Sequence, residues 1–72
     1  MKDPTSHSGL VLCGDWAIAH GNVGGLAMVA KQLAKTLNGP LRDQLVEVAR
    51  LCKRNEDQAT ARWYQLRPRL QH

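Results

Sequence analysis

Apolar residues recur at helical intervals through most of this chain. Between residues 23 and 37, Leu26, Val29, Ala30, Leu33, Ala34 and Leu37 fall at i, i+3, i+4, i+7, i+8 and i+11. That spacing lines up one side of an α-helix. Lys31, Gln32 and Lys35 fall toward the other side. A second stripe of Leu41, Leu45, Val48, Ala49 and Cys52 predicts a helix over about 40–53, with Asp43, Glu47, Arg50 and Arg54 on its wet side. Val46 lies off that stripe, which predicts contact with more than one neighbour. Ala59, Trp63 and Leu66 have the spacing of one more helix. Pro68 lacks an N–H and crowds a preceding carbonyl, so that helix is expected to end near Arg67.

The stretch GLVLCGDWAIAH, residues 9–20, behaves differently. Wound into a helix, it is apolar on nearly every side. Leu12, Trp16 and Ala19 make one stripe, and Cys13, Trp16, Ala17 and His20 make the next. The run LVLC has strand-like composition, but the chain offers no second strand to pair with it. A helix is expected, and only a second copy would rescue the strand.

Capping residues divide these segments. Ser8 suits an N-cap and Gly21 a C-terminal stop. Asn38 and Gly39 suit a left-handed C-terminal cap, and Pro40 suits the first helical position that follows. Asn55 with Gln58 three residues on approximates a capping box. Glu56 and Asp57 stand where the helix dipole favours negative charge. The expectation is an all-α domain, a small bundle of four short helices arranged as two helix-turn-helix hairpins. Residues 1–8, MKDPTSHS, read as a flexible lead-in, residues 9–67 as the helical domain and residues 68–72 as a tail. The stripes of the last three helices are expected to make the core, with the first helix folding over it through Trp16.

Composition narrows the picture. Seventy-two residues allow one domain, and at this size only about 60% of the chain's surface is buried on folding. A small core of this kind is often completed by a partner or a second copy. Because the first helix is apolar nearly all round, a dimer or a stable complex is expected. Trp16, Trp63 and Tyr64 are the only aromatics, so aliphatic side chains must fill the interior. The formal charge is +4, with Arg62, Arg67 and Arg69 crowded into an acid-free end. That permits an anionic partner without requiring one. Two cysteines are too few for a disulfide scaffold, and no stretch reads as a signal segment or a membrane span. A reducing cytoplasm is the expected compartment.

The two halves are alike at a shift of 33 positions: Leu12 with Leu45, Ile18 with Leu51, Asn22 with Asn55, Gln32 with Gln65 and Leu33 with Leu66. A period of about 33 or 34 is that of helical-hairpin repeats. LVEVARLCKRNEDQATARWYQL resembles one tetratricopeptide-type hairpin: small and Leu positions, a short polar turn, then an Ala-containing helix with Trp63, Tyr64 and a Pro near its end. LCGDWAIAHGNVGGLAMVAKQL resembles a looser copy. Several landmarks of that repeat are absent, and two units are fewer than the usual minimum of three. What the resemblance implies is a protein-binding role.

Catalytic chemistry finds little support. GNVGG, residues 21–25, matches neither the dinucleotide fingerprint nor the P-loop, since no strand precedes it and no Lys-Ser/Thr pair follows in register. Its glycines fit a tight hairpin turn better than a phosphate cradle, because the equivalent RNEDQ turn has no glycine and is acidic. Cys13 and His20 lie about 10.5 Å apart along a helix, too far for a nucleophile and its base. Zinc would need Cys13, Cys52, His7, His20 and His72 gathered without any local ligand pair. His20 suits a helix end, beside the last carbonyls. No enzyme activity, cofactor or metal is expected.

A binding protein is expected instead: a small adaptor, chaperone-like or regulatory chain that acts on another protein or on a second copy of itself. Trp16, Arg62, Trp63, Tyr64 and Arg67 are the candidate contact residues, because aromatics and Arg favour interfaces. Trp63 also fits the core. The alternative is a small basic helix-turn-helix regulator whose Lys31, Lys35 and Arg42 meet DNA phosphates. Asp43 and Glu47 on the second helix of that unit oppose such docking. No membrane partner is expected.

Overall fold

The computed structural model describes residues 7–70. Four α-helices follow one another: α1 (His7–Ala19), α2 (Val23–Thr36), α3 (Pro40–Arg54) and α4 (Glu56–Leu70). Among the described residues there is no strand, and residues 10–13 are helical. Each helix packs on the next, and α1 also meets α4, which closes the four into a ring. The bundle is all-α, a slab of 33 × 28 × 18 Å. No helix is long and apolar enough to cross a membrane among the described residues.

Short connections depend on a few residues. Gly21 takes φ 67°, a left-handed conformation that costs glycine little. Its N–H donates to the Ile18 carbonyl, and the Asn22 N–H donates to that of Ala17. This is the Schellman pattern that closes a helix end. Asn22 then opens α2: its side-chain oxygen accepts from the Gly25 N–H at 2.9 Å. Gly25 matters here because a Cβ would lie 2.9 Å from the Asn22 amide nitrogen. Asn55 opens α4 the same way, accepting from the Gln58 N–H at 3.2 Å. The two caps stand 33 residues apart, matching the sequence similarity of the halves.

Three expectations change at the helix ends. Ser8 lies within α1, not before it. Leu37 ends α2 in an extended conformation, and the left-handed residue, Gly39 at φ 75°, is the N-cap of α3. Pro68 does not stop α4, which runs on to Leu70. Leu70 is completely buried, and the apolar burial of the last turn offsets the hydrogen bond that proline cannot make. The helical domain therefore takes in residues expected to form lead-in and tail. Residues 1–6, 71 and 72 lie outside the described residues.

The stripes of α2, α3 and α4 form the core as expected, with Leu26, Leu33, Leu45, Val48, Ala59, Trp63 and Leu66 fully enclosed. Val46 is half-buried and packs on that cluster. The first helix departs from expectation. It docks through Val11, Gly14 and Ala17, while Leu12 and Trp16 stand outside at 59% and 60% exposure. Leu12 thus differs from its counterpart Leu45, which is buried. The reason is the Trp63 indole, which reaches from α4 to the backbone of Gly14. A Cβ on Gly14 would press on Cζ2 of that ring and lie 2.6 Å from Cη2.

Gly14→Ala therefore opposes two effects. Relieving a helical glycine stabilises by roughly 0.5–1 kcal/mol. Overpacking against a rigid ring costs about 1–3 kcal/mol, and it dominates. Urea unfolding should show a net loss of about 1 kcal/mol; a midpoint equal to or above wild type would contradict this packing.

Candidate binding surface

Asp15 follows the docking glycine and faces α4. One carboxylate oxygen accepts from the Trp63 indole N–H at 2.9 Å. The other accepts from Arg67 Nε at 2.6 Å, an ion pair whose side chains are 31% exposed for Arg67 and 24% for Asp15. The indole nitrogen is thereby satisfied inside the core, and the carboxylate is charge-balanced. Among the described residues no buried side-chain nitrogen or oxygen lacks a partner.

This arrangement redistributes the candidate contact residues. Trp63 has no exposed surface, so it is core and offers nothing to a partner; its spacing with Ala59 and Leu66 already suited the interior. Arg67 is committed to Asp15. Arg62 and Tyr64 remain exposed on α4, Tyr64 at 51%. They are two residues apart and so point to different sides of the helix. Trp16 is exposed on α1 with its ring against that of His20, centroids 4.2 Å apart. His20, expected to attend the last carbonyls, makes this ring contact. The five candidates do not form one patch.

A different surface emerges between α1 and α2. A groove of roughly 310 Å³ is lined by Leu10, Cys13, Trp16 and Ala17 from α1, by Gly25, Met28, Val29 and Gln32 from α2, and by Asn22 between them. No charged side chain lines it among the described residues. Met28 is 65% exposed at its edge, and Leu12 lies one helical turn from Trp16. Among the described residues, two of the four exposed large hydrophobics, Trp16 and Met28, thus line one groove. Met28 was legible as a residue off the α2 stripe; the exposure of Leu12 was not, because α1 has several apolar stripes and no single buried side.

The alternative set does assemble. Lys31, Lys35 and Arg42 line one groove of roughly 470 Å³ between α2 and α3, together with Ala34, Leu37, Asn38 and Val46. Asp43 and Glu47 stand exposed on α3. A neighbouring groove of roughly 340 Å³ shares Lys31 and adds Lys53, with Val23, Gly24, Ala27, Met28 and Cys52.

The glycine turn offers little to an anion, since the Gly25 N–H is engaged by Asn22 and the Leu26 N–H by the Asn22 carbonyl. Among the described residues no three His, Cys, Asp or Glu gather as a metal site. His72 and the side chain of His7 lie outside those residues. Both cysteines are free, Cys13 exposed and Cys52 half-buried. Burial pushes the Cys52 thiol above its ordinary pKa, and the Glu56 carboxylate adds to the shift. No protein family, curated protein or solved structure matches this chain.

Two measurements check these placements. Asp15→Ala leaves the Trp63 N–H buried without its acceptor, which should cost about 1–3 kcal/mol in urea unfolding; an unchanged midpoint would remove Asp15 from the α1–α4 contact. A raised pKa means less thiolate at pH 8, so a thiol reagent should label Cys13 first and Cys52 slowly. Equal rates in the native protein would show that Cys52 is open.

Proposed function

We propose that this chain is a small non-enzymatic helical protein that works by binding another protein, as an adaptor, chaperone-like or regulatory component. The observation that supports this most is the uncharged groove between α1 and α2, with Trp16 and Met28 exposed along it. Apolar side chains gathered this way on a small domain mark interaction surfaces, and Trp and Met are residues that interfaces favour. The resemblance of its hairpins to tetratricopeptide-type units points the same way. Its two unpaired thiols suit a reducing compartment such as the cytoplasm.

A second reading, a nucleic-acid-binding regulator, is favoured by Lys31, Lys35 and Arg42 sharing one groove. Against it, Asp43 and Glu47 oppose phosphate on the helix that would have to enter a DNA groove.

A pull-down with and without nuclease separates the two. Wild type should retain a protein after nuclease treatment, and the double variant Trp16→Ala/Met28→Ser should lose it. Both positions are exposed, so the fold survives the change. A ligand that vanishes with nuclease and survives the double variant would move the function to the Lys31–Lys35–Arg42 groove. Should the bait capture only itself, light scattering should show a concentration-dependent dimer that the double variant abolishes.

A further inference from the structure

The exposed side of α2 is divided along its length. Toward α1 it borders a groove without charge; toward α3 it borders two grooves that carry Lys31, Lys35, Arg42 and Lys53 and no carboxylate among the described residues. Met28 lines both the uncharged groove and the first basic one, and Lys31 joins that basic groove to the next. The surface is thus apolar on one flank and cationic on the other. Resting on the reading that this chain binds a protein, we propose that the partner presents an acidic amphipathic helix along α2. Its apolar stripe packs on Trp16 and Met28, and its carboxylates meet the cations of the α2–α3 seam.

Charge complementarity selects this occupant. An apolar helix without acids would leave four cations unmatched beside it. A nucleic acid strand would use the cations and leave the uncharged groove wet, and stacking surfaces for successive bases are absent from the basic seam, which holds no aromatic residue. A second copy of a chain with charge +4 would bring like charge to the seam. Its own helices with exposed acids, α3 and α4, have their apolar stripes spent in the core, with Leu45, Val48 and Ala49 buried on one and Ala59, Trp63 and Leu66 on the other. From Gly24 to Lys35 the exposed side runs about 16 Å, so a helix of roughly 11–15 residues would cover it. Laying an amphipathic helix into such a groove is a recurrent mode of peptide recognition.

The test uses the full chain and a synthetic peptide of about 15 residues with Leu on one helical stripe and Glu on the adjoining flank. Binding is read by calorimetry and by the emission of the exposed Trp16. Three controls are titrated: the same peptide with Gln for Glu, a scrambled peptide of equal composition, and single-stranded oligothymidylate of equal length. The acidic amphipathic peptide should bind about tenfold tighter than the Gln peptide at low salt, and the scrambled one should not bind. Met28→Ser should weaken the acidic and Gln peptides alike. Lys31→Glu/Lys35→Glu, both exposed sites, should erase or reverse the preference for Glu, with circular dichroism confirming the fold. Equal binding of the Glu and Gln peptides, both sensitive to Met28→Ser, would overturn the acidic partner and leave the protein-binding reading standing. Tighter binding of oligothymidylate, indifferent to Met28→Ser, would overturn both. Binding of neither peptide overturns this proposal alone, since the nuclease-resistant pull-down decides the broader reading separately.

Discussion

The contact between the Trp63 indole and the backbone of α1 is the constraint on which the bundle depends. Removing a buried Trp or Phe side chain typically costs about 3–5 kcal/mol. A single core in a domain this small rarely supplies more than about 3–5 kcal/mol in all. The largest side chain in the interior therefore decides where α1 can lie. It demands a position with no Cβ, met by Gly14, and an acceptor for its N–H, met by Asp15. Arg67 then balances the carboxylate from the next turn of α4. Three consecutive demands are answered by two adjacent residues of α1 and one turn of α4.

That geometry also shapes the exterior. Because α1 docks through Val11, Gly14 and Ala17, with Leu10 and Ile18 packed beside them, Leu12 and Trp16 are turned outward. Leu12 and Trp16 lie on the side of α1 away from Gly14, where the indole packs. A conserved total of apolar burial would have placed them inside; shape complementarity at one glycine places them outside. The surface proposed to bind a partner is in this sense a product of the core. The same helix α2 that receives α1 on one side carries the lysines of the α2–α3 seam on the other, so apolar and cationic surface meet along its exposed edge.

Much of this arrangement could be read from spacing. The stripes of α2, α3 and α4 have single apolar sides, so periodicity located their buried faces. Asn55 caps α4 and Gly21 ends α1 as their residue types implied, while Asn22 was legible only as the repeat partner of Asn55 and its cap on α2 is a finding of the structure. Pro68 misled because local propensity was outweighed by the burial of Leu70 two residues later. Lys31, Lys35 and Arg42 were legible as cations, but their sharing of one groove depends on how tightly the turn at 37–39 folds α3 back on α2.

Within the chain itself, then, lay the helical class, the number of helices, the stop at Gly21, the cap at Asn55 and the buried sides of three helices, all consequences of local hydrogen bonding and of periodicity along one segment. The facing of α1 was decided only in three dimensions. A helix apolar all round has no preferred side of its own, and its orientation follows from what it must accommodate. Here that was an indole 49 residues away from Gly14, and with it the choice of which apolar side chains reach the solvent.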